Sequence, residues 1–411
     1  MSEPVQSTSR EHRDEAAPFA PEDLFFSRTD KRGIIKGGNH VFRRVSGYDW
    51  PDLIGAPHKI LRHDDMPKGV FWQMWHTIEA GNPIGVYVKN RAKDGRYYWV
   101  FAIVTVLDDE YISVRLKPTS PLLEKVKALY ATLLKAERKE GLTPEQSAQA
   151  LLAGLAEMDF PDYASFSAHA LAQEVRARDV ATQRPPDKRL SRFVDMLTHL
   201  EKIRREGRSL VKGFASIEGA PKNMRIQASR MGIHAAPLGV ISTNFDEIAG
   251  NIKTGIEPFI NGLEHLADAV GHGLTVNCSC SLLSEVVALY ESDPDGAFSA
   301  ETLAEIAHLK DQRPRQMAKS HAILRDVMNE LHTFSGACRN IKQTLSGLSM
   351  MRVMGEIESA RIGDTQGSLK DIVTQLQRFQ TAAEASMYAI EAERVQIEIA
   401  LQRELETKLA A

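Results

Sequence analysis

"IGVYVKNRAKDGRYYWVFAIVTVLDDEYISVRLKP", residues 84–118, decides the fold of the first part of this chain. Three runs, "IGVYVKNRAK", "YYWVFAIVTVL" and "YISVRLKP", are rich in Val, Ile, Tyr and Trp and are separated by the turn segments "KDGR" and "DDE". They predict three antiparallel strands. Upstream, "LFFSRTD" and "GIIKGG" predict two shorter strands around a tight turn at Lys31 to Gly33. Between the two groups, "NHVFRRVSGY" and "DWPDLIGAP" read as short helical turns ending at glycines. "MPKGVFWQMWHTIEAGN" is a fuller helix, with Phe71, Met74, Trp75 and Ile78 on one face and Gly81 as its stop. Residues 23–119 thus form an α+β domain, a five-stranded antiparallel sheet with short helices.

Beyond Pro121 the pattern becomes helical throughout. "LTPEQSAQALLAGLAEM" opens with Thr143 as a cap and Pro144 at the first helical position. "DVATQRPPDKR" is a linker, because Pro185 and Pro186 cannot continue a helix. After it, apolar residues recur at three- and four-residue steps. Ile241, Phe245, Ile252, Phe259, Leu263 and Leu266 lie on one stripe, Leu331, Cys338, Ile341, Leu345 and Leu348 on another, and Leu369, Ile372, Leu376, Phe379 and Ile390 on a third. This is the spacing of long helices packed in coiled-coil fashion. "IQASRMG" (226–232) is echoed by "IESARIG" (357–363), each followed six residues later by Leu238 or Leu369. Two tandem helical hairpins closing into one four-helix bundle are the simplest geometry for such a repeat. The expected division is a disordered stretch at 1–22, the α+β domain at 23–119, an all-α helical linker at 120–186 and a long-helix bundle at 187–411.

The bulk properties exclude several classes of function. Among 411 residues, 43% are hydrophobic and 26% charged, and the formal net charge is −3. Such a balance exerts no general pull toward nucleic acid or an anionic membrane. The sequence pattern predicts no membrane span, and the N-terminal stretch lacks an apolar signal segment, so a soluble cytoplasmic location is expected. Three cysteines, Cys278, Cys280 and Cys338, are too few and too poorly spaced for a disulfide framework or a metal site. No phosphate loop, kinase signature or catalytic triad motif is present, so the chain is not expected to be an enzyme.

"LRHDDMPKGVFWQMW", residues 61–75, gathers the chemistry. Arg62 carries a planar fork suited to phosphate or carboxylate. His63 donates or accepts near neutral pH. Asp65 can accept from a sugar hydroxyl or cap the helix that Pro67 begins. Trp72 and Trp75 are platforms on which an aromatic ring can stack. The plainer reading has Arg62 paired with Asp64 on the surface and one Trp in the core.

The segment from Leu24 to Thr119 resembles a PAS domain, and more closely the flavin-binding PAS domain of bacterial aerotaxis receptors. The motifs that carry the resemblance are "GGNHVFRRVSGY", "LIGAPHKILRHDDMPKGVFWQMW" and "IEAGNPIGVYVKNRAKDGRYYWV". The resemblance implies FAD as cofactor and, position by position, Asn39, His58, Arg62, His63, Asp65, Trp75 and Asn90 as its site. Trp75 would stack on a ring, Arg62, His63 and Asp65 would hold the polar middle or order the loop, and Asn90 would face the flavin edge. One departure is Ile84, where the receptors carry a Trp after the Gly-x-Pro turn. The "SARIG" and "ASRMG" segments resemble faintly the tip of a chemoreceptor signalling hairpin. That likeness implies the chemotaxis histidine kinase and its coupling protein as partners, and self-association through the PAS domain or the helices. A cysteine photoadduct is excluded in this domain, because no cysteine precedes Cys278. Haem, ligated by His40, His58, His63 or His76, and a PAS adaptor without cofactor are the rival readings.

Overall fold

A computed structural model describes residues 14–107, 109–231, 236–291, 300–362 and 368–409. The chain divides into two compact units, Met1–Val194 with Gly271–Ile323 and Asp195–Val270 with Leu324–Ala411.

The first unit is built on the five expected strands: β1 (Phe25–Asp30), β2 (Ile35–Gly38), β3 (Ile84–Arg91), β4 (Tyr97–Leu107) and β5 (Glu110–Leu116). They are ordered β2-β1-β5-β4-β3, with every neighbouring pair antiparallel. Strand alternation sorts side chains onto two faces. One face carries Ser27, Thr29, Val88, Asn90, Ala102, Val104, Ser113 and Arg115, and these line a cavity. The β3–β4 register runs unbroken from Ile84↔Val104 to Arg91↔Tyr97. Ile84 therefore introduces no bulge. It is buried, shares the face of Val88 and Asn90, and is not among the residues lining the cavity.

Four short elements close over that face: α1 (His40–Ser46), α2 (Trp50–Leu53), a 3-10 turn at His58–Leu61 and α3 (Lys68–Glu79). Residues 14–22, which fall within the stretch expected from sequence to be disordered at 1–22, are ordered before β1. Tyr97 N donates to Glu15 O, Ala17 N donates to Tyr97 O, and Phe19 packs edge-on against Phe25 at 5.1 Å. Residues 1–13 lie outside the described residues.

Three helices follow: α4 (Leu122–Glu140), α5 (Pro144–Glu157) and α6 (Tyr163–Thr182). Thr143 caps α5 in a reciprocal capping box with Gln146. Then come α7 (Lys188–Ile217), α8 (Ala220–Met231), α9 (Ala236–Glu291), α10 (Ala300–Ile362) and α11 (Ser368–Leu409). The sheet face opposite the cavity is covered. Tyr87 and Phe101 pack on each other, and Tyr87 meets Phe166 of α6 at 6.3 Å. The parts of α9 and α10 that belong to this unit also reach the sheet. Tyr290 lies edge-on to Phe26, His308 lies 3.2 Å from Glu110, and Lys319 Nζ donates to Val106 O.

In the second unit the periodic residues are interior. Phe245, Ile252, Phe259, Leu263 and Leu266 on α9, Leu331, Cys338, Ile341, Leu345 and Leu348 on α10, and Ile372, Leu376, Phe379 and Ile390 on α11 are all buried. Phe259 meets Phe334 at 5.3 Å and Phe214 meets Phe379 at 6.4 Å, so α9 packs on α10 and α7 on α11. The described residues flanking the two repeat glycines are helical, in α8 up to Met231 and α9 from Ala236, and in α10 up to Ile362 and α11 from Ser368. Gly232 and Gly363 themselves lie outside the described residues. Among the described residues one segment, Gly239–Glu291, is long and apolar enough by length and composition to cross a membrane, a test that a buried core helix also passes, and 61% of its apolar window is buried within the protein.

Candidate functional site

The cavity is built from the turn outward. Asp30 Oδ1 accepts from Arg32 N and Ile34 N, which folds the β1–β2 turn around Gly33 at φ +74°. Glycine is the residue that adopts that left-handed conformation without strain. A Cβ on Gly33 would lie 3.0 Å from Cη2 of Trp75. The Trp75 indole is thus seated against the turn and lies edge-on to Tyr111 at 5.7 Å. On the same helix face Phe71, Met74 and Ile78 complete one wall, at the spacing expected of α3. Opposite stand Val88, Asn90, Ala102 and Val104. The enclosed volume is about 300 Å³, within the range of small-molecule sites.

Its floor is charged. Arg115, on β5, is 5% exposed, and no carboxylate pairs with it among the described residues. Its Nη2 donates to Ser27 Oγ at 2.8 Å and lies 2.7 Å from His58 Nε2. Burial, with the Arg115 cation beside it, depresses His58 to about 3, so the imidazole is neutral and Nε2 accepts from the guanidinium. Phe42 stacks on His58 with centroids 6.0 Å apart, holding the ring in place. Burial alone lowers Arg115 to about 10, which leaves it charged at neutral pH. Arg115 Nη1 and Ser113 Oγ, both buried and both on cavity-lining residues, meet no hydrogen-bond partner among the described residues. Buried donors are nearly always paired in native proteins, so two orphans beside one cavity point to a ligand that carries acceptors.

Four of the seven residues proposed from sequence line the cavity: His58, Arg62, Trp75 and Asn90. Arg62 stands where the cavity meets two open clefts, one past Phe71, Trp72 and His76, the other past Lys59, His63, Lys68 and Arg138. Its guanidinium lies 4.2 Å from the Phe71 centroid and its Nη2 donates to Met66 O. Burial lowers its pKa. It does not pair with Asp64, as the plain sequence reading has it; Asp64 is taken by Arg91 at 2.9 Å.

The other three stand elsewhere. Asn39 is fully engaged by the fold: its Oδ1 accepts from Phe26 N and Phe42 N, and its Nδ2 donates to Leu24 O. It clamps β1 to α1 and does not line the cavity. His63 lines the outer cleft, and Asp65 orders its loop. Asp65 N donates to His63 Nδ1, while Lys89 Nζ donates to Asp65 Oδ2 at 2.8 Å and holds that carboxyl below its ordinary pKa. Asp65 does not cap α3. Trp72 lines only the outer cleft, stacked on His76 at 4.8 Å. Of the four histidines weighed as haem ligands, His58 alone lines the cavity, with Nε2 already engaged.

Sequence reading missed Arg115 and Ser113. The signal was present, since Tyr111, Ser113 and Arg115 alternate along β5 and must share a face. Among the described residues no cluster of His, Cys, Asp or Glu could hold a metal ion.

Comparison with known proteins places this geometry. Residues 38–116 match the PAS fold family. Over 121 residues the chain is 39% identical to the aerotaxis receptor of Escherichia coli, a match covering 28% of this chain and 24% of that protein. Over 79 residues it is 30% identical to the nitrogen fixation regulatory protein of Klebsiella pneumoniae, covering 19% and 16%. The matches thus span a quarter or less of those relatives' lengths. The light-state structure of the blue-light photoreceptor Aureochrome1 LOV is similar at 20% identity and a TM-score of 0.23, covering 27% of this chain and 90% of that one. By the family match and the aerotaxis-receptor relative, the cavity lies in a PAS domain resembling the one in aerotaxis receptors, followed here by long helices.

Proposed function

We propose that this chain is a non-catalytic redox sensor of the aerotaxis type. Its PAS domain binds FAD, and the helices of the second unit, arranged as a four-helix bundle, carry the output. The observation that supports this most is the incompletely partnered Arg115 cation on the floor of a cavity walled by Trp75 and apolar strand residues. A flat heteroaromatic ring with acceptors along one edge matches those walls. Arg115 and Ser113 offer donors to that edge. Asn90, whose side chain makes no hydrogen bond among the described residues, offers both a donor and an acceptor. The cavity takes one ring system, and Arg62, at the mouth of the two clefts, is where a phosphate-bearing tail would leave.

A bound flavin supplies a reversible electron acceptor. The chain's own contribution is electrostatic. A buried cation favours any ring state that carries more negative charge, because the surrounding medium screens little. The neutral His58 keeps Arg115 oriented without cancelling it. The output partners in this reading are the chemotaxis histidine kinase and its coupling protein, in the cytoplasm. Ile226 on α8 and Met350 and Ile357 on α10, all exposed, suit such docking. Because the outer sheet face is covered, self-association falls to the helices.

The test is the visible absorption spectrum of the purified chain, with the released chromophore identified by chromatography. Flavin bands that bleach on anaerobic reduction, and FAD on release, support the reading. A Soret band would assign haem instead. A colourless protein that takes up no added FAD would leave an adaptor.

A further inference from the structure

We propose that Glu137, on α4 and outside the matched PAS segment, is a positioning residue for the cavity. This rests on the cavity being the ligand site proposed above. Helix α3 delivers Phe71, Met74, Trp75 and Ile78 to the cavity, yet its own N-cap, Pro67, offers no side-chain acceptor. The first amides of a helix need acceptors from outside it. Here they come from two other helices. Glu137 Oε1 accepts from Lys68 N at 2.6 Å and from Gly69 N at 3.4 Å. Ser147 Oγ on α5 accepts from Gly69 N at 3.2 Å and donates to the same Glu137 oxygen at 2.6 Å. Glu137 is 8% exposed, so its carboxylate is committed to this cap.

The approach is close enough to fix the helix. A Cβ at Gly69 would lie 2.3 Å from the Ser147 carbonyl carbon. Trp75 stands about two turns further along α3. The carboxylate therefore sets how far Trp75 reaches toward Gly33 and Tyr111. Glu137 also faces Arg62 across the outer cleft. As a mere charge it would repel a phosphate there; as a cap it holds the cavity wall in place. The two roles predict opposite effects of neutralising it.

The experiment uses the full chain with Trp75 as its only tryptophan, Trp50, Trp72 and Trp99 being replaced by Phe. Trp75 emission and acrylamide quenching are read without ligand, and FAD affinity is read by titration. Glu137→Gln is expected to red-shift and expose Trp75 and to weaken FAD binding about fivefold, the scale of a lost charged cap. Ser147→Ala, which keeps the carboxylate and guards against misfolding, shifts Trp75 the same way by less. Glu137→Asp falls between Glu137→Gln and the parent chain. Unchanged Trp75 emission, or FAD bound as tightly or more tightly in Glu137→Gln, overturns the proposal. If the parent chain binds no FAD, the functional reading fails, and the Trp75 measurement still decides the role of Glu137.

Discussion

Two buried charges sit on opposite faces of one sheet, and they are treated differently. Glu174, on α6, is fully buried against the outer face. Its two oxygens accept from Tyr87 Oη at 2.8 Å, Ser120 Oγ at 2.5 Å, Thr119 N at 2.7 Å and Ser120 N at 3.2 Å. Burial, reinforced by this carboxylate, pushes the Tyr87 phenol far above its ordinary pKa, so the hydroxyl stays a donor. Arg115, on the cavity face, has one hydroxyl, one neutral imidazole and an unanswered Nη1. A satisfied charge holds a fold together, whereas an unsatisfied one is a cost that persists where a ligand removes it.

The comparison breaks first at Glu174. Glu174→Ala takes the acceptor from four donors, three of them buried, and is expected to cost about 3–5 kcal/mol in urea unfolding, with or without ligand. A loss below 1 kcal/mol would show that the outer contacts are not structural. Arg115→Met should behave in the opposite way. Replacing a buried, half-satisfied cation by an apolar side chain leaves the ligand-free stability unchanged or raised by about 1 kcal/mol, while FAD affinity falls by about 100-fold. A large loss of stability without ligand would make Arg115 a structural residue like Glu174.

His58 sharpens the contrast through pH. Its folded pKa of about 3 lies below its ordinary 6.5, so between those values the unfolded chain binds a proton that the folded chain excludes. Stability conferred by His58 is therefore intact above about pH 6.5, falls as the pH drops toward 3 and levels off below it. The slope from this one group is about 1.4 kcal/mol per pH unit. Urea midpoints of His58→Gln should lack that one-proton slope. An identical pH profile in the variant would place the titration elsewhere. Ser113→Ala has the smallest expected effect: no change in folding and about fivefold weaker FAD binding, read by titration.

Much of this was legible in the sequence because it is local. Strand alternation, the apolar face of α3, the Gly81 stop and the Thr143 cap each depend on residues within a turn or two. The helical stripes fell inside for the same reason. The site was half legible. The cavity-lining part of the 61–75 segment was found, while Asn39 was assigned to the ligand although its three hydrogen bonds bind β1 to α1. What stayed hidden is non-local. Glu137 meets Lys68 across 69 residues and Glu174 meets Tyr87 across 87, and no periodicity announces either pairing. Arg178 forms a two-point pair with Glu285 of α9 across 107 residues. Arg115 lay in plain view within a strand, but a cation in a β-run reads as a solvated edge until the cavity behind it is seen.

The most direct measurement compares the visible spectra of the parent chain and Arg115→Met, purified side by side, with ligand-free folding checked by urea titration. The account predicts a yellow parent with flavin bands and a folded, colourless variant. A folded Arg115→Met that retains the full flavin complement, or a parent with no flavin that takes up none when FAD is added, would contradict it.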